Sequence, residues 1–178
     1  MIYGKRLRLR APEQEDIPRF VQWLNDPPVR AGLTLYMPLS VSNEERWFEN
    51  MLNAPEEERP LVIEVKEENS WVPLGNCGLH NIDWRNRSAD AGIFIGEVNR
   101  WNQGYGTEAT QLLLAHGFET LNLHRIALRV YENNPGAIRS YEKVGFTVEG
   151  HQRQAEFQSG EYLDVILMSV LRSEWTTK

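Results

Sequence analysis

Residues 98–109 read VNRWNQGYGTEA: two glycines set around a tyrosine, after the apolar run GIFI (92–95) and before a second apolar run. Glycine has no Cβ, so a loop of this kind lets backbone N–H groups turn outward and come close to a ligand. If a helix begins there, its free amides and its dipole favour an anion, above all a phosphate or pyrophosphate. Gly104, Gly106 and Ala109 also satisfy the dinucleotide fingerprint G-x-G-x-x-A, with the strand-like RIALRVY (125–131) and Glu132 downstream. Position argues against that reading. The fingerprint sets its first glycine in the turn directly after a strand, whereas GEVNRWNQ (96–103) separates Ile95 from Gly104. Only residues 107–178 follow Gly106, too short a stretch for the rest of a doubly wound dinucleotide domain.

Composition sets the outer limits. A chain of 178 residues, 41% hydrophobic and 25% charged, is expected to form one domain, 1–178, with a buried core. A net charge of −6 argues against a nucleic-acid or membrane-surface partner and suits a cationic substrate. The single Cys77 cannot form an internal disulfide and reads as a small core residue in a reducing, cytoplasmic setting. No stretch approaches the roughly 18 to 20 apolar residues of a membrane span. MIYGKRLRLR lacks the apolar region of a signal peptide.

Around the glycine loop the chain reads as alternating short elements. LRLR (7–10) is a strand with Leu7 and Leu9 inward. Ile17, Phe20, Val21 and Leu24 give a helix ended by NDPP, and Ser42 with Glu45 suggests a capping box for a second helix bearing Trp47, Phe48, Met51 and Leu52. EEER (56–59) reads as a solvated loop. LVIEV, WVPLGNCGLHNIDW and SADAGIFIGE read as strands, with Pro73, Gly75 and Gly78 predicting bulges in the second of these. A helix is expected over Thr107–Leu121, then the strand RIALRVY. Asn134–Pro135 reads as an N-cap with proline at the first helical position, and Gly145 as the residue that ends that short helix. FTVEG and YLDVILMSVL close the chain as strands turning at QSG. The order β-α-α-β-β-β-α-β-α-β-β gives a mixed α/β domain of the α+β type, without steady βαβ alternation.

The segment ENNPGAIRSYEKVGF (132–146) places Asn134, Ala137, Tyr141 and Gly145–Phe146 at fixed offsets. Together with QGYGT it resembles the GNAT superfamily of N-acetyltransferases, which pairs a Q/R-x-x-G-x-G/A loop with a later N-x-x-A-x-x-x-Y-x-K-x-G-F segment. The resemblance covers residues 90–150 well. WLNDPPVR, the GF-x-x-EG segment and a late Asp164 extend it along the chain and look most like the RimJ/RimL branch, which includes acetyltransferases of ribosomal-protein N-termini. Trp101 departs from the Gln or Arg usual at its place. The resemblance implies a mostly antiparallel sheet of about seven strands with helices on both faces, splayed between the fourth and fifth strands.

By the same resemblance, the backbone of Asn102, Gln103, Gly104, Tyr105, Gly106 and Thr107 would hold the pyrophosphate of acetyl-CoA. Ile95 to Val98, at the end of the fourth strand, would meet the pantetheine arm, with a free N–H polarising the thioester carbonyl. Donors of that kind are worth about 3 to 4 kcal/mol where measured. Asn134 and Ala137 would also contact the cofactor, and no metal is called for. Tyr141 would be the general acid for the leaving thiolate; a phenol has a reference pKa of about 10 and a thiol of about 8.5.

The base is less clear. Arg129 stands where some family members carry a glutamate, leaving Glu97 as first choice, ahead of Asp83, Asp90 and His80. A weakly specified base suits an α-amine, since deprotonating it at pH 7 costs about 1 kcal/mol against about 4.6 for a lysine-like amine. Tyr36, Trp47 and Asp83 are the candidates for acceptor contact, Tyr36 because it lies in the helix-poor segment LTLYMP. The leading expectation is an acetyl-CoA-dependent N-acetyltransferase, monomer or homodimer, acting on a protein or peptide N-terminus. A small-molecule amine as acceptor, or a CoA-binding module without turnover, are the alternatives.

Overall fold

Leu7 and Leu9 alternate with Arg8 and Arg10 on strand β2 (Leu7–Arg10), and that alternation sets the plan: apolar side chains toward one layer of helices, charges toward the other. The computed structural model describes residues 1–175. Its eight strands are β1 (Ile2–Tyr3), β2, β3 (Leu61–Glu67), β4 (Ser70–Asp83), β5 (Ser88–Ile95), β6 (Arg125–Tyr131), β7 (Thr147–Gln158) and β8 (Glu161–Leu171). They form one sheet in the order β1-β2-β3-β4-β5-β6-β8-β7, antiparallel throughout except where β5 runs parallel to β6. The helices are α1 (Ile17–Asn25), α2 (Pro27–Arg30), α3 (Val41–Leu52), α4 (Tyr105–Ala115) and α5 (Pro135–Lys143).

The sheet has one strand more than its sequence suggests, because Ile2 and Tyr3 pair with Leu9 and Arg8. The expected opening between the fourth and fifth strands is therefore the opening between β5 and β6. Both faces carry helices. One core cluster joins Leu113 of α4 and the following Phe118 to Leu7, Ile63, Leu79 and Ile126 of the sheet, all at most 2% exposed. A smaller cluster on the other face joins Phe20 and Trp23 of α1 to Val62, with Trp47 and Phe94 packed on it.

Three local readings change. Ser40, not Ser42, caps α3: its hydroxyl accepts from Asn43 N at 3.1 Å, and Asn43 Oδ1 accepts from Ser40 N at 3.1 Å. Asn25 decides this register, since its amide exchanges hydrogen bonds with both backbone groups of Leu39 at 2.8 and 2.9 Å. The EEER segment is not merely solvated, because Glu58 Oε1 accepts from Ile82 N at 2.7 Å. The strand begun by FTVEG runs on to Gln158. The expected bulge is present: Ile63 faces Gly75 and Glu64 faces Pro73, leaving Leu74 as the extra residue. A Cβ on Gly75 would stand 2.1 Å from Phe94 O, so only glycine lets β4 and β5 approach there.

The charged side of β2 and β3 is a buried ionic cluster. Glu64, 4% exposed, accepts from Arg8 Nε at 2.5 Å and Arg10 Nε at 2.8 Å, while Arg10 also grips both oxygens of Asp16 at 2.6 and 2.7 Å. Burial pushes the Asp16 carboxyl up, but hydrogen bonds from Arg10 and Glu13 outweigh it and hold Asp16 below its usual range. Removing one partner of such a cluster strands the others. Glu64→Ala is expected to cost about 3 to 5 kcal/mol in chemical denaturation; a cost below about 1 kcal/mol would mean that water replaces the carboxylate freely.

Candidate active site

Strands β5 and β6 share only three parallel pairs, Ser88 with Arg125, Ala89 with Ile126 and Asp90 with Ala127. Beyond Asp90 they separate, and backbone groups along the inner edges lose their ladder partners. The gap is a cleft of about 670 Å³, with Ala91–Ile95 on one wall and Leu128–Tyr131 on the other. The start of α4, one side of α5 and the chain after α2 complete it.

The loop at one end is built as its sequence implies. Gly104 takes the left-handed backbone, φ 82°, and stands at the N-cap of α4 with no side-chain cap. The first helical hydrogen bond runs from Glu108 N to Gly104 O at 3.0 Å, so the amides of Tyr105, Gly106 and Thr107 have no helical acceptor. Gly106, unlike Gly104, does not take a positive φ. A Cβ there would meet no protein atom closer than 3.9 Å, so the protein's own packing does not demand glycine. The space left above Gly106 suits a ligand instead. Arg6 steadies the loop from β2's side: its guanidinium donates to Gln103 O at 3.1 Å and to Glu108 Oε2 at 2.8 Å, and lies 4.6 Å from the Tyr105 ring centre. Burial raises the Glu108 carboxyl, but hydrogen bonds from the Arg6 backbone and guanidinium bring it below its usual range.

Most of the expected cofactor residues meet in the cleft: Ile95, Asn102, Gly104, Tyr105, Gly106, Thr107, Asn134 and Ala137 all line it. Val98 and Gln103 do not. Val98 opens a short turn facing a separate groove, and the Gln103 side chain donates to Asn99 O at 2.9 Å. Trp101, the departure from the usual loop, donates its indole N–H to Ile95 O at 2.8 Å and so ties the loop to the end of β5. Asn134 caps α5, accepting from Ala137 N at 3.1 Å, and Thr107 and Ser140 hydroxyls join α4 to α5 at 2.7 Å.

Tyr141 also lines the cleft, its ring 5.7 Å from that of Phe146. Burial pushes its phenol up to about 12. Cys77 is 2% exposed in the core, its thiol likewise pushed up to about 12 by burial, which leaves no thiolate for nucleophilic work.

On the acceptor side three expectations fail to converge. Glu97 points away from the cleft: Trp23 Nε1 donates to its Oε1 at 3.0 Å and Arg19 lies 3.5 Å off. The cause is local, since Gly96 N and Glu97 N both bond Leu74 O, and Trp23 covers Gly96 so closely that a Cβ there would fall 2.2 Å from the indole. Trp47 packs on Phe20 at 5.9 Å in the second core cluster. Asp83 holds the β4–β5 turn by accepting from Asn86 N and Nδ2 at 3.0 and 2.6 Å. Tyr36 does not line the cleft either, but, 73% exposed, it donates its hydroxyl to Oε1 of Glu156, which does, at 3.3 Å.

What the cleft contains instead is His80, Asp90, Tyr131 and Glu156. His80 and Asp90 face each other across the β4–β5 ladder. Asp90 Oδ2 accepts from Asn81 at 3.0 Å, and the imidazole sits over Gly92, where a Cβ would be 3.4 Å from Cε1. The acidic and basic groups thus gather on the face opposite α4.

Residues 6–147 match the acetyltransferase (GNAT) domain family. The chain belongs to that family. It is 32% identical to the uncharacterized N-acetyltransferase p20 of Bacillus licheniformis over 98% of this chain and 97% of that one. It is 31% identical to the spermidine N(1)-acetyltransferase of Vibrio cholerae over 98% of each. A crystal structure of the spermidine N-acetyltransferase from Vibrio cholerae in complex with CoA and spermine superposes with a TM-score of 0.86 at 29% identity, covering 96% of this chain and 98% of that one. The protein is an acetyl-CoA-dependent N-acetyltransferase. Acetyl-CoA supplies an activated acetyl group, and the uncapped amides of α4 and the open edge of β5 are suited to its phosphates and its amide-bearing arm.

None of the described helices is long and apolar enough to cross a membrane. Gly106→Val fills ligand space without straining the fold, so it is expected to weaken CoA binding at least tenfold by calorimetry while leaving the melting temperature near that of the parent. Unchanged affinity in the folded variant would remove the loop from the cofactor site.

Proposed function

We propose that the acceptor is a small molecule bearing a primary amine rather than a protein or peptide N-terminus. The observation that carries this is the pair His80 and Asp90, aligned across β4 and β5 on the acceptor face of the cleft. The case for an N-terminal α-amine rested on the RimJ/RimL resemblance and on a weakly specified base, and these two side chains, in the cleft where Glu97 is not, supply candidates. An amine of pKa about 10.4 must lose a proton at a cost of about 4.6 kcal/mol at pH 7, and an imidazole or carboxylate in the cleft is what such a substrate needs. The similarity to a spermidine acetyltransferase along nearly the whole chain supports the same choice. The RimJ/RimL resemblance in WLNDPPVR then reflects shared ancestry within the superfamily rather than a shared acceptor.

In this reading His80 takes the proton released by the attacking amine, and Asp90 draws the ammonium form into the cleft. Tyr141 holds its proton at Oη for the departing thiolate. Its raised pKa, about 12, keeps the phenol protonated across the working range. The amide-rich loop at Gly104–Thr107 anchors the cofactor, and Tyr36 borders the acceptor.

Three measurements check this. In a free-thiol assay, small primary amines are expected to exceed N-terminal peptides in kcat/KM by about tenfold or more; the reverse order would return the acceptor to the peptide class. Tyr141→Phe is expected to lower kcat by about 100-fold with little change in CoA affinity. Because its pKa is raised, no loss of activity from Tyr141 ionisation is expected below about pH 11. A Tyr141-dependent fall nearer pH 9 would contradict the assignment.

A further inference from the structure

The acceptor side of the cleft holds a carboxylate that neither the family motifs nor the proton transfer uses. Glu156 enters the cleft from β7, and it does so because that strand is interrupted. Gln152 faces Val165 and Glu156 faces Leu163, so residues 153–155 stand opposite Asp164 alone. At the centre of this bulge Gln154 adopts the left-handed backbone, φ 51°, which a residue with a side chain takes only at a cost. Two further contacts fix it: Asp164 Oδ1 accepts from Gln154 N at 2.8 Å, and Glu132 Oε1 accepts from Asp164 N at 2.7 Å. Bulges re-aim side chains, and the one aimed here is Glu156.

Its surroundings are phenolic. Tyr36 donates to Glu156 Oε1 at 3.3 Å from the chain between α2 and α3. Tyr131, 7% exposed on β6, lies beside it; burial first, and then the negative charge of Glu156, pushes the Tyr131 phenol up to about 12. Arg129, on the same strand as Tyr131, turns to Gln152 Oε1 at 3.2 Å instead. Among the described residues no arginine, lysine or histidine forms an ion pair with Glu156. A carboxylate in a cleft, bonded by one phenol, flanked by a second and ion-paired with no cation among the described residues, is complementary to a positive charge on the ligand. The two rings add their faces to the attraction of such a cation.

We propose that Glu156, framed by Tyr36 and Tyr131, is the specificity-determining residue that holds a second positive charge on the acceptor, so that the enzyme favours diamines and longer polycations over monoamines. This rests on the small-amine reading above. One amine reacts, and a second ammonium group on the same molecule is bound by Glu156. The residue acts on choice of substrate and not on the transfer itself.

The test uses a matched pair, 1,5-diaminopentane and n-pentylamine, together with spermidine and an N-terminal peptide, in a free-thiol assay of the full chain. The parent enzyme is expected to favour the diamine over the monoamine by about tenfold or more in kcat/KM. Glu156→Gln should bring that ratio close to one, chiefly through the KM of the diamine and of spermidine, and Glu156→Asp should restore part of it. A ratio unmoved by Glu156→Gln, or an equal loss for both amines, overturns the assignment while the small-amine reading stands. Preference of the parent enzyme for an amino acid with a free carboxylate would also overturn it, and would point to Arg129. If the peptide alone is acetylated, the small-amine reading fails and this inference falls with it.

Discussion

Two parallel strands that part company leave peptide N–H and C=O groups facing an open gap, and each such group kept from water without a partner costs about 1 to 3 kcal/mol. Strands β5 and β6 do this after three shared pairs. The remaining structure holds that gap open at one edge and makes it useful at the other. Trp101 reaches back to Ile95 O, and Trp23 packs closely on Gly96, so the end of β5 is pinned at two adjacent residues. The parting exposes Ala91–Ile95 to a ligand able to act as a short substitute strand. Acetyl-CoA, with amides along its arm, has the chemistry to do so.

The sheet then separates two tasks by face. On the α4 side the binding groups are backbone amides and small side chains, with Gly104 supplying a left-handed turn and Gly106 an unfilled space. On the opposite side the groups are charged or titratable: His80, Asp90, Tyr131 and Glu156. Anionic phosphates and the cationic acceptor proposed above would therefore meet opposite electrostatic surroundings within one cleft. The partition lets each substrate bind without burying a charge against its own sign.

The legibility of these parts in the sequence follows how local each is. The loop at Gly104 and the segment from Asn134 to Phe146 were readable because a helix start, an N-cap followed by proline and a terminating glycine each depend on a few consecutive residues. The strand pattern was readable apart from Ile2–Tyr3, which is too short to show alternation. The turn of Glu97 away from the cleft was not readable, because its direction is set by the double hydrogen bond to Leu74 O and by Trp23, far apart in sequence. His80 and Asp90 were seen singly, but their alignment is a matter of β4–β5 register. Glu156 left no trace at all, because a three-residue bulge in a polar strand has no periodicity to detect.

The central claim is that the edge of β5 beyond Asp90 and the amides at the start of α4 are open places that CoA fills. Backbone hydrogen exchange, followed residue by residue with and without CoA, reads this directly. Saturating CoA is expected to slow exchange at Ala91–Ile95 and at Tyr105, Gly106 and Thr107, while β2 and β3 stay unchanged. Protection confined to other segments, with these amides exchanging as fast as in the free protein, would contradict the account.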